Sequence, residues 1–210
     1  ATDDFFAFLD DTEGEMDVNG SGVTPSNYLL DLGIGRIPAQ NQSEANIAVQ
    51  KIKTYEDPET QGDWQNLFTF AADDDYPDVE LNRDLHVLNA DETANLMDIY
   101  EPGVRLNKIY QFAFNQEITG AGRRIPGASR AFIDAFNQGT LVMNYSGHGN
   151  EQTLSDEQLF VSESIPNLTN SNKLAVLVTA TCQFGRYDDI DEQSGAEKLL
   201  FTENGGVISA

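Results

Sequence analysis

Short apolar runs of strand type alternate with amphipathic helical stretches along most of this chain, and that alternation limits the fold more than any other feature. Leu67 to Ala72, Leu106 to Phe114, Leu141 to Tyr145 and Leu174 to Thr181 read as strands. Helical patterns lie between and after them. Ser43 reads as the N-cap of a helix to about Tyr55, with Ala45, Ile47, Ala48, Val49 and Ile52 on one face. Asp91 to Tyr100, Arg130 to Phe136 and a stretch around Ser194 to Phe201 follow the same period. Strands joined through helices cross over right-handedly and lie parallel, so the expected fold is α/β, a mostly parallel sheet flanked by helices. Reactive groups are then expected beyond the carboxyl ends of the strands. Two further strand-like runs, Phe5 to Leu9 and Leu29 to Ile37, precede this block, and Asp57, Pro58 and Gly62 mark a break. At the other end Gly205-Gly206 reads as a turn into a buried strand at Val207 to Ser209, and the chain is expected to be a fragment of a longer one.

Composition removes whole classes of function. The 210 residues are 40% hydrophobic, enough for a sizeable core, and carry 12 Lys and Arg against 35 Asp and Glu, a net charge of −23. Such a surface repels phosphate backbones and acidic headgroups, so nucleic acid is excluded as a partner. It also suits salty surroundings, where ions screen the self-repulsion. No apolar run approaches the roughly 18 residues of a membrane span, and ATDDFF lacks the basic-then-apolar plan of a secretory leader. One cysteine forbids an internal disulfide, and with two histidines beside it a zinc site is short of ligands, so no metal is expected at the site. Asp17, Asn19, Ser21 and Gly22 match the opening of a calcium loop in spacing, yet Tyr28 stands where the closing glutamate belongs. An acidic surface loop is the plainer reading; no cofactor is required, and calcium enters only as a structural ion. The Gly33/Gly35 pair is a weak dinucleotide signal, because Pro38 takes the place of the third glycine.

Two strand ends carry the chemistry. The first leads into Ser146-Gly147-His148-Gly149, an imidazole flanked by glycines; the second leads through Thr179-Ala180-Thr181 to Cys182. On neighbouring strands, both side chains would emerge on one rim. An imidazole can hold a thiolate as an ion pair and later protonate a leaving amine. Gly149 lets substrate approach closely, and its N–H with that of Cys182 could hold a developing oxyanion. The alternative is a small buried Cys182 and an unremarkable loop His148. Asp188, Asp189 and Asp191 could bind a cation, but read more plainly as partners of Arg186 or as solvated charge, and His86, read alone, as a surface or partly buried histidine.

The runs NYSGHGN and TATCQFGRYDD resemble the gingipain family of caspase-like cysteine peptidases, and within it the PorU-like sortases of the type IX secretion system. DDFFAFLDD, LGIGRIPA, GDWQN, FAADDD and SGAEKLLFTENGG extend the resemblance over nearly all of the chain. It implies a caspase-like fold, with residues 1–62 the end of an upstream subdomain and 63–210 the catalytic one, truncated at its C-terminus. It implies Cys182 as nucleophile and His148 as general base and acid. The acidic residue that orients the histidine in that family falls here on Asp74, within Asp73-Asp74-Asp75. Where arginine-specific members carry an aspartate in the primary specificity pocket, an ungapped match puts His86, with Asp84 nearby but out of register. His86 is thus the candidate substrate-binding residue, and arginine specificity is not carried over. The implied function is a cysteine endopeptidase or transpeptidase that cleaves C-terminal sorting signals through a thioester. Its implied substrates are proteins carrying a C-terminal sorting domain, its partner an outer-membrane secretion component, and its place the outer membrane or cell surface of a Gram-negative bacterium. A general secreted protease and a catalytically idle surface module that binds calcium or a partner are the competing readings.

Overall fold

A computed structural model describes residues 6, 7, 9, 31–74, 85–120 and 122–210. The chain has two compact units, Ala1–Pro38 and Ala39–Ala210. In the first, Phe6 and Ala7 lie in a 3-10 turn, the Asp31 N–H donates to the Ala7 carbonyl at 3.0 Å, and the Leu9 N–H donates to the Asp31 carboxylate at 2.7 Å. The strands expected at Phe5–Leu9 and Leu29–Ile37 are not found in their described parts. Leu32, Ile34 and Ile37 are exposed, and an apolar run becomes a strand only where a neighbour takes its backbone groups and buries one face. The calcium-like loop at residues 17–22, Asp75 and Asp84 lie outside the described residues.

The second unit opens with α1 (Gln42–Glu56), and its cap is Asn41 rather than Ser43: the Asn41 side chain accepts the Glu44 N–H at 3.1 Å. It continues through β1 (Leu67–Ala72), α2 (Leu85–Tyr100) and β2 (Arg105–Tyr110) to a short hairpin, β3 (Glu117–Thr119) and β4 (Gly122–Arg124). Then come α3 (Pro126–Gln138), β5 (Val142–Ser146), the small antiparallel pair β6 (Thr153–Leu154) and β7 (Phe160–Val161), β8 (Ala175–Ala180), α4 (Gly195–Phe201) and β9 (Val207–Ser209). Three boundaries differ from the sequence reading. Helix α2 starts by Leu85, its outward Leu85 and Leu88 obscuring the amphipathic pattern. Strand β2 stops at Tyr110, where Gln111–Ala113 makes a 3-10 turn. Helix α3 starts at Pro126, whose fixed φ suits a first helical position and whose missing N–H has no partner to lose there.

Five strands form one sheet in the order β2-β1-β5-β8-β9, all neighbours parallel. Counted along the chain this is 2-1-3-4-5, a doubly wound order whose direction reverses between β1 and β5; ligands of such sheets bind at that crevice. Helix α2 covers one face, packing Val87, Ala90 and Ala94 on Phe70, Ala72 and Tyr110. Helices α3 and α4 share the other core with Ala71, Met143, Tyr145 and Leu177. Within it Phe132, Phe160 and Phe184 follow one another at centroid distances of 5.6 and 6.5 Å. Burying each such ring contributes about 1.5–3 kcal/mol, and Phe184 stands just past Cys182, so the cysteine's turn is moored in the core.

Candidate active site

Strands β5 and β8 pair Ser146 with Ala180, their last residues, so the segments that follow leave the carboxyl edge side by side. Gly147 extends the pairing, its N–H donating to the Ala180 carbonyl at 3.2 Å. His148 and Cys182 are both exposed on this rim, which removes the reading of Cys182 as a buried apolar residue. The glycines on either side of His148 are required by close approach. A Cβ at Gly147 would strike the Tyr145 hydroxyl and come within 2.6 Å of Asp73 Cβ; one at Gly149 would lie 2.6 Å from Thr181 Oγ1 and 2.9 Å from the Thr153 carbonyl. Gly149 thus lies against the Thr181 side chain and within contact of the Cys182 carbonyl, so the histidine and cysteine turns are packed together.

The main chain of His148 is gripped from two sides. Its N–H donates to Asp73 Oδ2 at 3.2 Å, while its carbonyl accepts the Tyr145 hydroxyl at 2.7 Å and the Ser155 N–H at 2.8 Å. Asp73 directly follows β1 across the switch point, its own N–H donating to the Ser146 carbonyl at 3.0 Å. Burial pushes the Asp73 carboxyl up to about 6, against the pull of the Asp74 and His148 N–H groups and with a further push from the Glu157 and Asp74 charges. Burial, with the Asp73 and Glu157 charges, likewise raises Tyr145 well above the ordinary phenol range.

Asp74, the expected orienting acid, is engaged elsewhere: its carboxylate forms a two-pronged ion pair with Arg123, which also binds Glu157 at 2.8 Å. Among the described residues no carboxylate oxygen is hydrogen-bonded to the His148 ring. The ring meets His86 instead, edge to face, with centroids 5.1 Å apart and planes at 85°. His86 Nδ1 lies 3.4 Å from Ser146 Oγ, so His86 is fixed to the strand that carries His148. The structure thus brings His148, Cys182, Gly149 and His86 to one rim and sets Asp74 behind it.

The cysteine turn is built differently. The Phe184 N–H closes on the Cys182 carbonyl at 2.7 Å and the Arg186 N–H on the Gln183 carbonyl at 3.0 Å, with Gln183 at φ 58°. Beneath it the Ala196 N–H of α4 donates to the Phe184 carbonyl at 3.0 Å. Among the described residues neither the Cys182 nor the Gly149 N–H has an acceptor, as an oxyanion hole requires. No hydrogen bond joins thiol and imidazole. Arg186 lies 3.5 Å from each of Glu151, Asp188 and Asp189, so two of the three expected aspartates pair with it, Glu151 joins them, and Asp191 does not.

Asp73, Asp74 and Glu157 form a carboxylate group that could hold a cation, but the Arg123 guanidinium already supplies positive charge to two of them. A cleft of about 540 Å³ lined by Trp64, Arg105, Gly139 and Lys173 opens at the amino ends of the strands, the opposite end from the two turns. Sequence reasoning missed Tyr145, Ser155, Glu157 and Arg123. Tyr145 was readable as a polar-tipped residue just ahead of the glycines; the other three had no local signal.

Comparison with known proteins agrees with this architecture. Gingipain R2 of Porphyromonas gingivalis is 32% identical over 91 residues, 43% of this chain and 12% of that protein. Two gingipain R1 proteins match at the same identity and length, over 9% and 5% of their own sequences, so the chain spans only a small part of these relatives. The crystal structure of the Arg-specific cysteine proteinase gingipain R superposes with a TM-score of 0.67 at 22% identity, covering 89% of this chain and 40% of that one. The complex of the Porphyromonas gingivalis RgpB pro- and mature domains gives 0.63 at 22%, over 89% and 42%. These solved structures share its α/β fold, and because the sequence model of peptidase family C25 matches residues 1–210 throughout, the chain belongs to that family.

Proposed function

We propose that this chain carries the catalytic centre of a gingipain-like cysteine endopeptidase. The observation that carries the reading is the exposed thiol and the exposed imidazole on packed, adjacent turns at one sheet edge, beside two uncommitted N–H groups. His148 takes the Cys182 proton, and the thiolate attacks the scissile carbonyl carbon. The Gly149 and Cys182 N–H groups receive the oxyanion. The His148 imidazolium then protonates the leaving amine as the C–N bond breaks, leaving a thioester that water resolves to an acid or an amine resolves to a new amide. His86, on the His148 ring, faces the substrate side; Asp74 acts behind the turn rather than on the ring.

The substrates are secreted proteins bearing a C-terminal sorting domain, cleaved at the outer membrane or cell surface of a Gram-negative bacterium next to a type IX secretion component. The resemblance of NYSGHGN and TATCQFGRYDD to PorU-like sortases supports this. A general secreted protease is the second reading, favoured by the likeness to gingipain R. The test is a thiol-reactive peptidyl probe followed by digestion of paired substrates with and without a sorting domain. An adduct on Cys182 that requires His148, with cleavage confined to sorting-domain proteins, is expected. Equal cleavage of unrelated proteins selects the second reading, and an unlabelled Cys182 refutes both.

A further inference from the structure

We infer that Arg123 is a positioning residue for the His148 turn, holding from one guanidinium Asp74 and Glu157, which reach opposite sides of this turn through Asp73 and Ser155. Two chains of contacts leave Arg123 and end on the two peptide groups flanking His148. In one, Arg123 pairs with Asp74, whose N–H donates to Asp73 Oδ1 at 2.8 Å, and Asp73 Oδ2 accepts the His148 N–H. In the other, Arg123 Nη1 binds Glu157 at 2.8 Å, Glu157 Oε2 accepts the Ser155 hydroxyl at 2.7 Å, and the Ser155 N–H reaches the His148 carbonyl at 2.8 Å. Arg123 itself is fixed, its Nε donating to Gln116 Oε1 at 2.7 Å beside the β3–β4 hairpin.

Two physical facts make this guanidinium hard to replace. Asp73, Asp74 and Glu157 present oxygens within 4.8 Å of one another, and buried like charges at that range repel unless a cation lies among them. Ser155 and Gln158, at φ 66° and 62°, hold the bracing loop in left-handed backbone, which persists in non-glycine residues only where surroundings enforce it. A planar fork serves two carboxylates at once; a lysine ammonium is a single point charge.

The test compares the whole chain with its Arg123→Ala and Arg123→Lys variants, by peptide turnover and by amide hydrogen exchange over residues 146–155. The kinetic arm rests on the cysteine-peptidase reading; the exchange arm does not. With Arg123→Ala, kcat should fall about a hundredfold with KM nearly unchanged, the scale of an ångström's misplacement of a catalytic group. Exchange at His148 and Ser155 should quicken at least about tenfold. Guanidinium chloride at non-denaturing concentration should reverse both, and Arg123→Lys should fall between. Should Arg123→Ala not fold, Arg123→Lys decides by the same readouts. Wild-type exchange in the variants, or a loss that neither guanidinium nor added Asp74→Asn and Glu157→Gln restores, overturns the inference. A full-length protein carrying this chain that turns over no peptide and takes no peptidyl label on Cys182, while exchange still responds to Arg123, would refute the peptidase reading alone.

Discussion

The two turns that meet at the sheet edge are held to different standards. The His148 turn is clamped at N–H and carbonyl by Asp73, Tyr145 and Ser155, and its glycines leave no room for a methyl group. The Cys182 turn has a short internal loop, an exposed left-handed Gln183 and a single deep mooring at Phe184. In the mechanism proposed above proton transfer is directional, so an imidazole that takes and returns a proton gains from a clamped main chain, whereas a thiolate needs access and a short reach to carbon.

The largest expected effect tests whether the turns act as one unit. Cys182→Ala should abolish turnover of any peptide, His148→Ala should nearly do so, and the double variant should be little worse than either. Because Cys182 is exposed, its replacement should shift stability by no more than about 0.5 kcal/mol, read by urea titration. Substantial turnover by Cys182→Ala protein would end the comparison, since the turns would then have no common task.

A methyl group placed on each turn separates the clamp from the reach. Gly147→Ala drives a Cβ against Tyr145 and Asp73, an overpacking that should cost about 1–3 kcal/mol and, by moving His148, about a hundredfold in kcat. Gly185→Ala, beyond Cys182, meets no atom within 4 Å and should change stability by less than about 0.5 kcal/mol with kcat near wild type. Equal effects at the two sites, in denaturation and kinetics, would show that the turns are equally rigid.

How much of this was legible in the sequence follows the range of the forces involved. The alternation of strand and helix, the apolar run that becomes β8 and the helix that begins after Ser194 are local and were readable, although β8 is only partly buried, with Val178 exposed. The sequence reading put the first cap at Ser43, whereas the structure uses Asn41, three residues before the glutamate whose N–H it accepts. The strand signals at residues 5–9 and 29–37 are not met in their described parts, because a strand is a relation between segments rather than a property of one. At the candidate site, the placement of His148 and Cys182 at two strand ends was readable from the apolar runs before them. The choice among adjacent aspartates did not, because one residue of register decides whether a carboxylate meets His148 or Arg123. Arg123 lies 49 residues from Asp74 and 34 from Glu157, so only the fold could reveal it.

The smallest expected effect on activity comes from the support behind the cysteine turn. Lys51 of α1 is buried, and its Nζ donates to the Leu199 carbonyl of α4 at 2.8 Å and to the Val207 carbonyl of β9 at 3.2 Å. Burial lowers its ammonium from 10.5 to about 7. Between those values the folded chain binds fewer protons at Lys51 than the unfolded chain does. Stability should therefore rise with pH from about 7 toward 10.5, by at most about 1.4 kcal/mol per pH unit from this group, and be flat below 7. Lys51→Met keeps most of the side-chain volume and removes the slope. Urea midpoints of the two proteins from pH 6.5 to 9.5 isolate the contribution, because every other titrating group is common to both. The difference should move in favour of the wild type as pH climbs. Turnover at neutral pH should stay within about twofold, since Lys51 touches the cysteine turn only through α4 and Phe184. A difference that stays level across the range would mean that the two carbonyls keep Lys51 charged. A large loss of turnover would mean that the cysteine turn depends on its distant support as closely as the histidine turn depends on its neighbours.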